Sequence, residues 1–325
     1  MKAMILAAGL GSRLFPLTVD RTKPAVPFLG RPLVGYVAEY LAKNGFTDLV
    51  VNLHHQADSV RDALADASQL GVTVTFSEEF PSILGTGGAF RKARPMLGEE
   101  PFLAINGKII TDIDLGPIIE KHLSQASLAT MVLARNTRNE RFTKILTEDD
   151  SLVGFGGFPA QEDTDSLLWT GIHILSPRVF DYIGEGEQDI ISCFYRPALD
   201  AGERISVHVA DGLWNEMSTI ERYLDASISL LGPAENFIGS NCEIHPSATL
   251  AGTVIWDRVT VGEGCRLSRV VVTDDVNIPA HSTFHDCAIV NADRIYRDGG
   301  PPEKAPPGFI EGNLYVVPLE KTDGR

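Results

Sequence analysis

The sequence predicts a doubly wound, mostly parallel α/β sheet followed by a short parallel β-helix. Three observations carry that expectation. Short apolar runs alternate with helix-patterned segments over the first 135 residues. A glycine loop follows the first apolar run at once. From about residue 235, apolar residues recur every six positions between small and turn residues.

The runs AMILAA (3–8), DLVVNL (48–53), VTVTF (72–76), PFLAIN (101–106) and LATMVLA (128–134) have the length and composition of buried strands. Between them, PLVGYVAEYLAKNG (32–45) and DSVRDALADASQLG (58–71) carry helical spacing and stop at glycine. DLGPIIEKHLSQA (114–126) is a further helix, with Asp114 as candidate N-cap. Strands and helices alternating at these lengths build a parallel sheet, whose ligands lie beyond the carboxyl ends of the strands. Gly9 and Asn106 fall at such ends. From about 135 to 225 the pattern is irregular, with strand-like LLWTGIHIL and ISVHVA and two helices.

Beyond that, Ile238, Ile244, Leu250, Val261, Leu267, Ile278, Phe284 and Val290 mark a six-residue period. This is the pattern of a β-helix whose coils are three short strands, each burying a residue. The register slips near Trp256 and Val272. GGPPEKAPPG belongs to a Pro/Gly-rich tail expected to wrap the surface. The expected domains are therefore 1–232, a β-helix over 233–292, and the tail over 293–325.

At 325 residues and 44% hydrophobic content there is room for two domains. A net charge of −15 argues against a nucleic-acid or anionic-membrane surface. No run of 18 apolar residues would span a membrane. MKAMILAAG is too short for a signal peptide and runs into the glycine loop, so a cytoplasmic location is expected. Cys193, Cys242, Cys265 and Cys287 show neither CxxC nor zinc spacing and are expected to be reduced core thiols.

A polyanion must find a local basic cluster on so acidic a chain. LAAGLGSRLFPLTVDRTKPAVPFLGRP (6–32) supplies one: Gly9 and Gly11 let backbone N–H groups approach a phosphate, and Arg13 and Lys23 bring positive charge. A Walker A loop is absent. A dinucleotide fingerprint would need glycine at Leu14 and an acidic end to the second strand, which instead ends NLHH. A bare glycine turn leaves Arg13, Lys23, Pro24 and Pro27 unexplained together. His54 and His55 are expected to be strand-end histidines with satisfied hydrogen bonds rather than catalysts.

AAGLGSRLFPLTVDRTKPAVPFLGRPL resembles the signature of the sugar-1-phosphate nucleotidyltransferases. VNLHHQAD (51–58), EEFPSILGTGGAFRKA (78–93), INGKIITDIDL (105–115) and LWNEMSTIERYLDA (213–226) resemble that family's further motifs, in the same order. The resemblance implies a Rossmann-like domain and a left-handed β-helix, as in the mannose-1-phosphate guanylyltransferases. It also implies a reaction in which a sugar 1-phosphate attacks the α-phosphorus of an NTP and pyrophosphate leaves. By the same likeness Ala8, Gly9, Gly11, Ser12 and Arg13 cradle the triphosphate, while Arg13 and Lys23 stabilise the departing pyrophosphate. Gly85, Thr86 and Gly87 line the base with Glu78 nearby; Asn106 and Gly107 face the sugar phosphate; Gly171 makes room for the sugar ring.

The departures are equally specific. Lys108 stands where the family's Mg²⁺-binding aspartate is expected, Glu216 replaces the second metal aspartate, and Ser218 replaces a glycine. The family's E-K-P motif has no counterpart near GFGGFPAQ (154–161). Three explanations stay open: Lys108 takes over part of the metal's charge, Mg²⁺ binds through Glu216 with Asp112 or Asp114, or catalysis is lost and a nucleotide-sugar-binding regulator remains. GTP with mannose 1-phosphate is the expected substrate pair, and a homo-oligomer through the β-helix the expected assembly.

Overall fold

The computed structural model describes residues 1–137, 142–157, 166–232, 235–297 and 300–319. Contacts divide the chain into a unit of Met1–Gly9 with Val34–Trp214 and a unit of Leu10–Leu33 with Asn215–Arg325. That division differs from a cut at residue 232. It places the segment after Gly9 and the helix Ile220–Leu231 with the C-terminal residues.

The first unit is built on β1 (Lys2–Leu6), β2 (Asp48–Leu53), β3 (Thr73–Glu78), β4 (Phe102–Asn106), β5 (Ala129–Arg135), β6 (Ile145–Glu148), β7 (Ser151–Phe155), β8 (Leu167–Leu175) and β9 (Ile205–Val209). Their order across one sheet is β3-β2-β1-β4-β8-β5-β9-β7-β6. The first four run parallel, as does the β5–β9 pair. β8 enters antiparallel between β4 and β5, and β7 pairs antiparallel with β9 and β6.

Strand periodicity explains the apolar runs. On β4, Leu103 and Ile105 join one core while Phe102 and Ala104 join the other, and Ala3 and Ile5 part from Met4 on β1 in the same way. Helices α1 (Leu33–Lys43), α2 (Ala57–Ala63) and α4 (Gly116–Gln125) bury Val37, Val60 and Ile118 against the first face. Helix α3 (Gly85–Leu97) buries Phe90 and Leu97 against the second. The helix expected over 58–71 breaks into α2 and a 3-10 turn at Ala67–Leu70. Helix α3 was masked in the sequence by three glycines at its start and by Pro95 within it.

In the second unit, α5 (Ile220–Leu231) is capped by Thr219, whose hydroxyl accepts from Arg222 N–H at 3.3 Å. The β-helix follows. Phe237, Val254, Val271 and Ala288 stack in parallel register, as do Glu243, Thr260 and Asn277, and Thr249, Arg266 and Thr283. Each residue sits on the one seventeen further along, one short of three six-residue turns, and this accounts for the slips in the period. Val261, Leu267, Ile278 and Phe284 point into the core as expected, joined by Ile255, Val272 and Ile289, whereas Ile238 is exposed. The longest coil strands are β10 (Arg266–Val272) and β11 (Thr283–Asn291).

The tail does more than wrap the surface. β12 (Leu314–Pro318) pairs antiparallel with β11 and buries Leu314–Val317, while Phe309–Glu311 pairs on its outer side. Proline and glycine before it hid the apolar run LYVV. Among the described residues no helix is long and apolar enough to cross a membrane.

Candidate active site

Three strand ends of the first unit are tied by one buried network. Ala7 N–H donates to Asn52 Oδ1 at 2.7 Å, and Asn52 Nδ2 donates to Glu79 Oε1 at 2.6 Å. Glu79 Oε2 accepts from Leu84 N–H at 2.7 Å. Asn52 and Glu79 are 4% and 2% exposed, so the bonds are shielded from water and each donor depends on its partner. The network fixes the chain at the start of α3 and just before Ala8 and Gly9. Glu79, not Glu78, is the inward residue. Glu78 ends β3 facing outward and pairs with Arg61. His54 Nδ1 meets Glu79 O at 2.8 Å and His55 is exposed, which matches their reading as strand-end residues.

The glycines at the start of α3 have a packing role. A Cβ on Gly85 (φ +66°) would lie 2.6 Å from Gln188 O, one on Gly87 2.6 Å from Cys193 Sγ, and one on Gly88 2.2 Å from Gly186 O. Gly87 N–H donates to Gln188 O at 2.8 Å, and Thr86 Oγ1 accepts from Ile190 N–H at 2.9 Å. This close seat requires the absence of side chains. Gly9 differs: a Cβ there would meet nothing within 4 Å, so packing does not require glycine at that position.

Asn106 and Gly171 are brought together. Gly171 (φ +80°) lies in a bulge of β8 between Trp169 and Ile172, and its missing Cβ would stand 2.1 Å from Asn106 Nδ2. The room it makes is taken by the Asn106 side chain. Trp214 Nε1 donates to the neighbouring Thr170 O at 2.9 Å. A cavity of about 280 Å³ is lined by Arg135, Asn136, Leu168, Asp211, Leu213 and Trp214. Gly107 N–H donates to Leu6 O at 2.9 Å, setting half-buried Lys108 just past the end of β4. Asp112 Oδ1 accepts from Leu213 N–H at 2.6 Å, and Asp114 Oδ1 accepts from Gly116 N–H at 2.9 Å at the start of α4.

In the second unit, Gly11 (φ +69°) opens a 3-10 turn at Ser12–Leu14. Its missing Cβ would lie 3.1 Å from Thr18 Cγ2 and 3.3 Å from Lys23 Cβ, so the loop folds back on itself and sets Lys23 beside the glycine. Lys23 is 8% exposed, Ser12 is half-buried and Arg13 is exposed. Glu216, 7% exposed, takes Arg222 Nη1 at 3.2 Å, and the same nitrogen reaches Ser218 Oγ at 3.3 Å.

At the first metal position that the resemblance implies, Lys108 brings no oxygen ligand for Mg²⁺. Mg²⁺ takes oxygen ligands in tight octahedral geometry. Here one position carries the Lys108 ammonium, the other carboxylate is paired with a guanidinium, and Asp112 and Asp114 hold backbone N–H groups. Among the described residues no group of three or more His, Cys, Asp or Glu stands where it could hold a metal ion. Residues 158–161 of the segment near the E-K-P position lie outside the described residues.

Comparison with known proteins bears on the whole arrangement. A family model described as nucleotidyl transferase matches residues 2–231, and one described as GlmU-like, C-terminal hexapeptide matches 232–285. The N-acetylmuramate alpha-1-phosphate uridylyltransferase of Neisseria meningitidis is 33% identical over 228 residues, 70% of this chain and 96% of its own length. The mannose-1-phosphate guanylyltransferase of Mycobacterium tuberculosis is 27% identical over 294 residues, 86% of this chain and 81% of its own. A Bacillus anthracis crystal structure assigned as a glucose-1-phosphate thymidylyltransferase, in complex with sucrose, superposes with a TM-score of 0.62 at 26% identity. It covers 71% of this chain and 94% of that one. The chain belongs to the nucleotidyl transferase family and is an enzyme of the sugar-1-phosphate nucleotidyltransferase class, with a hexapeptide-type β-helix at its C-terminal side.

Proposed function

We propose that the chain joins GTP and mannose 1-phosphate into a nucleotide-sugar with release of pyrophosphate. The observation that carries this reading is the two-part match. The nucleotidyl transferase and hexapeptide regions adjoin, and the mycobacterial guanylyltransferase aligns with 86% of the chain, β-helix included. A second reading, uridylyl transfer to N-acetylmuramate 1-phosphate, rests on the 33% identity of the neisserial enzyme, which matches 70% of this chain.

In this reading a phosphate oxygen of the sugar 1-phosphate forms a bond to the α-phosphorus as the bond to the β-phosphate oxygen breaks. The electron pair leaves with pyrophosphate. The chain supplies no nucleophile; it aligns two phosphates and offsets their charge. Gly9, whose glycine identity packing does not demand, admits the backbone close to phosphate together with Ala8, Gly11 and Ser12. Arg13 and Lys23 stabilise the pyrophosphate as its charge grows. Gly85, Thr86 and Gly87 hold the base-binding segment in shape through their seat on 186–190, with Glu79 as its tie. Asn106 and Gly107 meet the sugar phosphate, and the cavity bounded by Asn136, Asp211 and Trp214 takes the sugar.

Lys108 contacts phosphate oxygens as a point cation. No step of this reading passes through a metal held by Glu216. The alternative, a regulator that binds nucleotide-sugars without turnover, predicts the same ligands and no chemistry. Action in the cytoplasm and assembly through the β-helix belong to the same proposal; the four cysteines are free thiols, which suits a reducing compartment.

The test is pyrophosphate release in the forward direction from a matrix of GTP, UTP, dTTP and ATP against mannose, glucose and N-acetylmuramate 1-phosphates. Release with GTP and mannose 1-phosphate alone is expected. Preference for UTP with N-acetylmuramate 1-phosphate would replace it with the second reading.

A further inference from the structure

The segment that carries Arg13 and Lys23 is held by the β-helix side of its own unit at several points. Arg21 Nη2 donates to Asp274 Oδ2 at 2.7 Å, its Nε donates to Asp20 at 2.8 Å, and its guanidinium lies 5.2 Å from the centre of the Trp256 ring. Asp20 also takes Arg294 Nη1 at 2.7 Å. Six residues on, Tyr223 Oη donates to Pro27 O at 2.6 Å and accepts from Trp256 Nε1 at 3.0 Å. Gly30 is closed against Phe237, whose ring would stand 2.9 Å from a Cβ.

Asp274 is itself a fixed post. Its Oδ1 accepts from Asp257 N–H at 3.1 Å, and the Asp257 carboxylate accepts from Ser240 N–H at 2.7 Å, so the three repeat along successive coils. Asp274 is 6% exposed, which keeps its bond to Arg21 from being screened as a surface pair would be. Lys23 lies two residues past Arg21 and packs on Gly11, two residues before Arg13. A shift of the Arg21 anchor therefore moves both cations.

We propose that the β-helix is the mount of the phosphate loop, and that Arg21 and Asp274 are positioning residues that set where Arg13 and Lys23 stand. The hexapeptide region thus contributes to phosphate handling without touching substrate. The inference rests on the proposed nucleotidyl transfer for its kinetic readout and on the fold alone for its exchange readout.

The experiment uses the full chain with Asp274→Asn, which keeps the side chain's shape and removes its charge. Arg269→Ala serves as control; it cuts pairs to Asp225 and Asp286, at 2.9 and 2.7 Å, elsewhere in the same unit. In pyrophosphorolysis at saturating nucleotide-sugar, Asp274→Asn is expected to raise KM for inorganic pyrophosphate about tenfold, as a misplaced binding group does. KM for the nucleotide-sugar should stay within about twofold. Hydrogen exchange should quicken across residues 10–33 in Asp274→Asn and not in Arg269→Ala. Arg21→Lys should recover part of the loss seen in Arg21→Met. Wild-type KM and unchanged exchange in Asp274→Asn would overturn the proposal, as would an equal rise in KM for Arg269→Ala. If the wild-type chain turns over no nucleotide-sugar, the proposed function fails. The exchange result in residues 10–33 then decides this inference by itself, supporting it if protection is lost and overturning it if not.

Discussion

Glu79 offers a quantitative test of how the first unit holds its strand ends. Its two carboxylate oxygens take Asn52 Nδ2–H at 2.6 Å and Leu84 N–H at 2.7 Å, at 2% exposure. In Glu79→Gln the amide can offer its oxygen to only one of these donors, and its NH₂ then faces the other. One charge-assisted bond is lost, about 1.5–3 kcal/mol, and a buried donor is left unsatisfied, about 1–3 kcal/mol. With local relaxation we expect about 3 kcal/mol of destabilisation, and at least as much for Glu79→Ala. At about 2–4 °C per kcal/mol for units of this size, the melting temperature should fall by about 6–12 °C. Urea titration gives the free energy, and a rise in KM for nucleotide should accompany it because Asn52 carries the tie on to Ala7. A Glu79→Gln chain within about 0.5 kcal/mol of wild type, the range of an ordinary surface substitution, would refute the network.

Three further outcomes are expected. Gly171→Ala must adopt φ +80° and push its Cβ against Asn106 Nδ2; the backbone alone costs about 1–3 kcal/mol. KM for sugar 1-phosphate should rise with it, and wild-type stability in a melt would count against the bulge. Burial lowers His122 to about 4 and His173 to about 3, below the usual 6.5. The unfolded chain therefore binds protons first as pH falls. Stability present above about pH 6.5 should drain toward pH 4 at up to about 1.4 kcal/mol per unit for each histidine. A melting temperature flat from pH 6.5 to 4.5, or a slope unchanged in His122→Gln, would contradict this. Lys108→Ala should reduce kcat/KM about 10²-fold, as loss of one phosphate-directed group does; wild-type kinetics would remove Lys108 from the site.

How much of this was legible in the sequence follows from which signals were local. β1 and β4 were plain because alternate residues enter two different cores, leaving an unbroken apolar run. The entry of β8 between β4 and β5 was not, since antiparallel insertion depends on a pairing partner about 40 residues away in β5 and about 70 in β4. Helix α3 was concealed because its glycines serve the seat on 186–188 rather than helix propensity. The β-helix was visible through its inward residues, but a coil of seventeen breaks a strict six-residue period at every turn. Glu79, which nothing in the spacing singled out, ties Asn52 to Leu84, while Glu78 pairs with Arg61. Strand alternation gave no guide: it sets Glu78 on the face of half-buried Val74 and Phe76, yet Glu78 is exposed and buried Glu79 lies just past the end of β3. The close partner of Gly171 is Asn106, a contact that no spacing in the chain reveals.

The proposed reaction is nucleotidyl transfer by a site with Lys108 where the family resemblance places a metal aspartate. Its most direct test is pyrophosphorolysis: GDP-mannose, UDP-glucose, dTDP-glucose, ADP-glucose and UDP-N-acetylmuramate, each with inorganic pyrophosphate, scored for release of the triphosphate and compared between wild type and Lys108→Ala. GTP from GDP-mannose is expected with the wild-type chain and about 10²-fold less with the variant. Binding of nucleotide-sugars without release of any triphosphate would contradict it and leave a sensor in place of a catalyst.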